Sequence, residues 1–565
     1  MNRFLRKLNS QTKVKGRRNW ILVLEDQLSD EIGPLSREDP SSLGIVLIES
    51  YWKARRRPYH KQKIAFHLLN LRHFALEQAE RGIAIRYLMT SHPFRATLKP
   101  LIQELGSLRV MEPAELEVRQ DLAPLVHKGF ITLIPHEGWI TSQGDFLEGA
   151  GEQPSWRMDA FYRYVRKQTG ILMKGDQPLG GQYSFDIKNR KPWKGTPPAP
   201  VAFGFPLEPI KEEVVQFVES RFRHHPGHVH SESLPGTKHD ALRQWRWAKK
   251  ACLPHFGPYE DAMAQEKHGL FHTRISALLN IHRLLPRQVV KDVEALPLPL
   301  PSKEGFIRQV LGWREFVRHV HRETNGFRQQ AAKAVTPGDA GYTKWGNRKW
   351  KASINPADLD GGARPSFLGV KESLPAAYWG TTSGLNCLDQ VINNVWEEAY
   401  SHHITRLMVL SNIATLLDVS PRELTDWFWV AYTDAFDWVV EPNVLAMGTF
   451  GTGPLMSTKP YISGASYIHR MSNYCDHCVF DPKTNCPVTN LYWAFLARHQ
   501  SKLQTNPRLR LPLINLKKRG QAKRRTDIKI FKIVRKALGD NQRLRTQPLN
   551  TIVSPGGKIK TTASN

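Results

Sequence analysis

The chain has 565 residues, enough for two or more domains with substantial cores. Lys and Arg total 80 against 52 Asp and Glu, giving a net charge of +28 and a pI near 9.9, so the expected partner is a polyanion, nucleic acid ahead of an anionic membrane. Five cysteines in so long a chain argue against a secreted disulfide scaffold, and no apolar run approaches the roughly 18 residues needed to span a bilayer.

Residues 1–19 hold seven Lys or Arg and no acid, lack an apolar signal core, and read as a basic arm, with a transit peptide as the lesser reading. From 20 to 140, short apolar runs at 20–24, 44–48, 83–88 and 130–134 alternate with helical patterns at 61–81 and 97–105. The alternation predicts an α/β domain on a parallel, Rossmann-like sheet, with a ligand site beyond the strand carboxyl ends. No G-x-G-x-x-G follows the first strand, so the dinucleotide fingerprint is absent. Asp26 and Gln27 follow that strand and Glu49 ends the second, polar groups where such folds bind small ligands. Residues 141–241, rich in Gly and Pro and then in His, read as an irregular linker. From 242 to 510 the pattern is mostly helical; Ile404, Leu407, Met408, Ile413, Leu416 and Leu417 keep helical spacing. The remainder, 511–565, reads as a basic tail. Its stretch 517–545 has twelve basic and two acidic residues, suited to DNA phosphates through counterion release.

Four cysteines carry the most chemistry. Cys475, Cys478 and Cys486 lie within twelve residues, and with Cys387 they can close a cage around one zinc or a [4Fe-4S] cluster. C-x2-C spacing is common at structural zinc; Pro487, directly after the last thiol, recurs in iron–sulfur loops and tips the balance toward iron. Cys252 stands alone and reads as a small buried residue. Aromatic side chains, Trp379, Trp396, Trp427 and Trp438 among them, crowd the same region and could serve as redox stations or simply as core.

Several stretches, in order, resemble the iron–sulfur bacterial cryptochromes and photolyases, also called prokaryotic (6-4) photolyases. They are ILVLEDQLSD, YHKQKIAFHLLNLRHFA, WRMDAFYRYVRKQTGILM, GGQYSFDIKNRKP, EGFIRQVLGWREFVR, NCLDQ, SHHITRLMVL and MSNYCDHC, and the likeness spans residues 20–510. It implies the photolyase/cryptochrome fold, an α/β antenna domain followed by a helical FAD-binding domain, and it turns the metal question toward [4Fe-4S]. It implies a light-driven DNA repair enzyme acting on UV-damaged DNA, with FAD, and an antenna of 6,7-dimethyl-8-ribityllumazine near Asp26 and Glu49. A monomer is expected, in the cytoplasm beside the nucleoid and without a membrane.

The resemblance also implies roles for single residues. His272, Thr273, Arg274 and Ser276 match a phosphate-binding turn, and Tyr259 an aromatic that closes over the cofactor. Gln309 and Arg314 would meet the cofactor, Arg314 at its pyrophosphate, while Trp313 faces the lesion cavity. Arg406 and Asp434 would flank the isoalloxazine, with Asn443 nearby. Reversing a (6-4) product moves a hydroxyl between two pyrimidines, so a proton donor is useful in the pocket that receives the flipped lesion. His403 is expected as that acid and His402 as its partner, two helical neighbours pointing about 100° apart. Tyr461 and Tyr467 would line the same pocket. Trp427 and Trp379 match an electron relay, with Phe436 where a redox-active Tyr is usual. Val440 replaces the family residue near flavin N5, and the loop from Cys478 to Cys486 is short. The cluster is expected to act as a staple between helices. Two other readings stand beside repair: a blue-light sensor of the same fold, and a metal-stabilised nucleic-acid-binding protein without flavin, reminiscent of primase large subunits.

Overall fold

The computed structural model describes residues 3–12, 18–330 and 361–546, with 333–334 by their backbone. Its N-terminal part is a five-stranded parallel sheet: β1 (Asn19–Val23), β2 (Leu43–Ser50), β3 (Ala84–Thr90), β4 (Leu108–Met111) and β5 (Ile131–Ile134), in the order β3-β2-β1-β4-β5. Successive residues point to opposite faces, so the apolar runs fill two cores at once. Ile21, Val23, Ile45 and Leu47 enter the main core with α3 (Lys61–Glu80), whereas Trp20, Leu22, Val46 and Ile48 pack under α4 (Phe94–Leu105) and α5 (Leu116–His127). Gly44 lets this second face close, because a Cβ there would lie 2.5 Å from the Trp20 ring.

Strand order reverses between β1 and β4, which opens a crevice beyond their carboxyl ends. Four strands lie where the apolar runs place them; β4 and α5 supply the elements that the pattern did not separate.

The expected linker contains helices. Gln143–Ala150 starts with a capping box of Ser142 and Asp145, and Pro209–Arg221 packs on α3. Each expected basic end is likewise corrected where it is described. Arg3–Gln11 is a helix with Phe4 and Leu8 buried, the Phe4 ring edge-on to Tyr87 at 4.7 Å. Beyond 510 the chain forms helices Arg510–Lys518 and Gln521–Gly539, and the second buries Ile530, Phe531, Val534 and Leu538 on the Pro487–Arg498 helix. Apolar residues at helical spacing dock both segments in spite of their charge. Residues 13–17 and 547–565 lie outside the described residues.

The helical part contains π-helical stretches at Arg308–Arg314, Arg406–Ser411 and Glu441–Gly448. These carry Gln309, Trp313, Arg314, Arg406 and Asn443, in keeping with the frequent use of such wide turns to aim functional side chains. Among the described residues, no helix is long and apolar enough to cross a membrane.

Candidate functional site

Three histidines from two distant segments converge. The rings of His272 and His402 are parallel with centroids 4.2 Å apart, and His403 stands edge-on to His272 at 5.4 Å. Their nearest ligand nitrogens all fall within 4.8 Å. His402 is an extended N-cap residue and His403 opens the helix His403–Thr405, which corrects the expectation of two helical neighbours. As a result His402 is buried at 3 % exposure while the His403 side chain is 41 % exposed.

Burial holds the His272 and His402 imidazoles well below their ordinary value, and neighbouring histidines push the same way, so both are neutral near pH 7. Neither ring nitrogen of His402, nor Nε2 of His272, has a hydrogen-bond partner among the described residues. Orphaned polar atoms in a buried site fit a pocket whose remaining partners arrive with a bound group.

Asp261, which the sequence reading missed, organises the exposed side of this cluster. Its Oδ1 lies 3.9 Å from His403 Nε2, and the Tyr467 hydroxyl donates to its Oδ2 at 3.3 Å. Burial lowers the His403 pKa while Asp261 raises it; burial raises the Asp261 carboxyl while His403 lowers it. The signal available in the sequence was an acidic pair directly after Tyr259. Glu260, the other member, accepts from Gln309 Nε2 at 2.7 Å and from Asn189 at 3.1 Å. Gln309 is thus engaged inside the protein, and Tyr259 bonds the Thr196 carbonyl at 3.2 Å. Half-buried Tyr461 lies within electrostatic reach of Arg190 and Arg508, and Trp313 packs on Phe316.

Arg406 and Asp434 form a two-pronged ion pair with both bonds at 3.0 Å. Burial pushes the Asp434 carboxyl up, but Arg406 outweighs it and holds the group below the usual range. Ser276 donates to Asp434 at 2.6 Å, and Asn280 joins the Asp434 carbonyl at 2.9 Å to Arg314 Nε at 3.3 Å. Arg274 adopts a left-handed φ of 55°, beside buried Thr273, and its guanidinium bonds Glu398 at 2.6 Å. Arg314 lies 4.1 Å over the Trp139 ring, and Asn443 bonds its own helix at the Val439 carbonyl. Arg406 and Asp434 are thus paired with each other, and Arg274, Arg314 and Asn443 are each held by other protein partners.

An aromatic row ends on this ion pair. Trp379 stacks on Trp396 at 5.5 Å, Trp396 meets Trp427 at 5.9 Å, Trp427 meets Tyr432 at 6.0 Å, and Arg406 sits 4.0 Å over Tyr432. Trp396 and Trp427 both donate to the Tyr378 carbonyl, at 2.9 and 2.7 Å, which fixes their rings. The sequence reading named Trp379 and Trp427 as a relay and Trp396 only among the surrounding aromatic residues; in the structure Trp396 lies between the two. Phe436 is not in this row; it stacks on Trp438 at 6.2 Å and packs on His67.

The four cysteines line one cavity, walled by Leu385, Ile468, Tyr474, Phe480 and Val488. Cys387 sits in the first turn of the Asn386–Glu398 helix and Cys486 caps Pro487–Arg498, while Cys475 and Cys478 flank a 3-10 turn. Burial, then Cys486, Cys478 and Cys475, push the Cys387 thiol far up, so the four cannot ionise together without a cation. Among the described residues, no three of these sulfurs approach within 4.8 Å of one another.

In the α/β crevice, Glu49 accepts from Arg72 Nε and Nη2, both at 2.8 Å, and from the hydroxyls of Tyr51 and Tyr87. Asp26 accepts from the Ala114 amide at 3.2 Å and its carbonyl meets His282 Nδ1 at 2.6 Å; burial pushes its carboxyl up to about 6.

The family described as deoxyribodipyrimidine photo-lyase-related protein matches residues 21–234. The (6-4) photolyase of Agrobacterium fabrum is 34 % identical over 515 residues, covering 87 % of this chain and 94 % of that protein. Of the solved structures, the Synechocystis cryptochrome aligns over 87 % of this chain and 95 % of its own, with 13 % identity and a TM-score of 0.53. A bacterial class III photolyase from Agrobacterium tumefaciens aligns over 93 % and 99 %, with 14 % identity and a TM-score of 0.49. The first structure fixes the fold, and the 34 % identity along nearly the whole chain fixes the kinship: this protein belongs to the photolyase-related family that contains the Agrobacterium (6-4) photolyase.

Proposed function

We propose that this protein is a light-driven DNA repair enzyme that reverses pyrimidine–pyrimidone (6-4) photoproducts. The observation that carries the reading is the cluster of His403, Asp261 and Tyr467 beside the stacked His402–His272 pair, in which both His402 nitrogens and His272 Nε2 lack a partner among the described residues. A lesion flipped into such a pocket meets a proton donor that faces solvent, with a carboxylate to orient it. His403 holds the proton for the migrating hydroxyl, Asp261 aligns the imidazole and opposes the loss of its charge, and Tyr467 fixes Asp261. His402, neutral and shielded, offers a second hydrogen bond.

FAD, as the family implies, would supply the light-driven electron. Ser276, Asn280, Arg406 and Asp434 would hold it, and the orphaned imidazole nitrogens support the presence of a bound group there. The Arg406–Asp434 pair keeps a fixed cation at the site. Trp379, Trp396, Trp427 and Tyr432 offer a route for charge from the half-exposed Trp379. The four cysteines would hold a [4Fe-4S] cluster that staples helices far apart in sequence, a reading supported by the convergence of all four thiols on one cavity and by Pro487 directly after Cys486. An antenna of the lumazine class would lie in the crevice at Asp26, with Glu49 bracing its wall.

The test is blue-light repair by purified, photoreduced protein on oligonucleotides carrying one (6-4) product or one cyclobutane dimer. Repair of the (6-4) substrate alone is expected, lost by the order of 10²-fold or more in His403→Ala. Repair of cyclobutane dimers alone would discard the histidine role, and repair of neither, with flavin bound, would favour a photosensor.

A further inference from the structure

The basic segment after residue 507 is joined directly to the pocket mouth. Arg190 Nε lies 3.7 Å from Asp261 Oδ2, and Lys459 lies within electrostatic reach of both Arg190 and Arg508. Asn506 Nδ2 donates to the Thr458 carbonyl at 2.9 Å, which ties the start of the segment to the loop bearing Tyr461. From there exposed Arg508 and Arg510 lead into the Arg510–Lys518 helix, which ends in exposed Lys517 and Lys518.

The Gln521–Gly539 helix then divides cleanly. Asp527, Phe531, Val534 and Leu538 recur at steps of four, three and four residues and are buried. Arg525, Lys529, Lys532 and Lys536 recur at the same steps two residues earlier, about 200° around the helix, on the side away from the protein. From 508 to 539 the only acid is Asp527, already paired with Arg519 at 2.6 Å. Lys536 pairs with Asp540 and Arg535 with Glu372, but Lys517, Lys518, Lys523, Arg525, Lys529 and Lys532 have no carboxylate partner among the described residues.

We propose that these two helices form a phosphate track, continuous with the rim of the pocket, that grips duplex DNA beside the lesion. The inference rests on DNA being the substrate. Like-charged side chains held in a row, without counter-charges, gain by displacing the condensed cations of a polyanion, and they do so without regard to sequence. An anionic bilayer fits less well, because a helix that lies in a membrane needs a free apolar face and this one is used against the Pro487–Arg498 helix.

The experiment is duplex binding by the full chain across a salt series, for undamaged and (6-4)-containing DNA. The variant replaces Lys517, Arg525, Lys529 and Lys532 by Gln, which preserves helix propensity at exposed positions. The expected result is a log K against log [salt] slope shallower by about 3 to 4 for both duplexes, with their affinity ratio and the repair rate at saturating DNA unchanged. Replacing the three lysines by Arg restores that part of the slope. A folded Gln variant with the wild-type slope overturns the track while leaving repair standing. Loss of binding to phosphatidylserine vesicles, with the DNA slope unchanged, overturns it in favour of a membrane. If wild-type protein repairs neither lesion yet the slope falls, the repair reading fails and the track survives.

Discussion

His272 and His402 lie ring on ring, 4.2 Å between centroids, in a site where burial keeps both imidazoles uncharged. Two charged rings could not be stacked so closely in a site of low polarity. In the proposed mechanism the stacked pair is a neutral wall, and the protonic work would fall to the half-exposed His403. Asp261 is its only carboxylate neighbour within 4.0 Å among the described residues.

Asp261 is predicted to set the pH range of repair. Its charge raises the His403 pKa, so Asp261→Asn lets that pKa fall further. If His403 acts as the imidazolium, the repair rate declines as pH rises through its pKa, and the substitution moves that decline to lower pH. Rate–pH profiles of photoreduced wild-type and Asp261→Asn proteins check this; superimposable profiles would remove Asp261 from the mechanism.

Trp396 is predicted to join Trp379 to Trp427. Phe in its place keeps the packing but resists oxidation, so Trp396→Phe should slow photoreduction of bound flavin at least tenfold, by a rough estimate from the lost stacked contacts. Repair by chemically pre-reduced protein should be unchanged. Transient absorption of tryptophan radicals reads the difference directly.

Metal analysis distinguishes the two contents of the cysteine cavity. About four irons per chain and no zinc are expected, and Cys387→Ser should lose the iron together with a large part of thermal stability, because Cys387 is the ligand from the distant helix. One zinc per chain would refute the cluster.

Stability should fall as pH drops below neutrality. Burial pushes His60, His67 and His225 down to about 4 and His136 to about 3, so the unfolded chain takes up these protons between pH 6.5 and about 4 while the folded one does not. Buried Asp26 and Glu115, pushed up to about 6 and about 8, act in the opposite sense. His272, His282, His319 and His402 are held well below the ordinary value as well, so the buried histidines outnumber the raised acids, which include Asp121, Glu260, Asp261 and Glu304, and the net direction is a loss of stability as pH falls below 6.5. Urea midpoints at pH 7.5, 6 and 5 measure it.

Gly44→Ala should destabilise the α/β domain by about 1 to 3 kcal/mol, since the added methyl meets the Trp20 ring. Thermal melting of the variant, with its secondary structure checked at low temperature, is the measurement.

The sequence alone determined what local pattern and rare residue types can encode. Short apolar runs at 20–24 and 44–48 marked two strands, and the structure divides their side chains between two cores. The cysteine spacing marked four thiols that the fold brings to one cavity, and the ordered motifs specified the family. It did not separate β4, whose four residues are too short for a periodic signal, nor did it show that basic ends with apolar residues at helical spacing would dock. Tertiary structure alone decided the contacts of the candidate site: Asp261 with His403 and Tyr467, Trp396 between Trp379 and Trp427, and Cys387 brought to the cavity of the other three thiols. Each joins residues distant in the chain, and distance across a packed core leaves no trace in neighbouring letters. The same holds for protonation: whether an imidazole is neutral depends on what buries it, and only the assembled core supplies that burial.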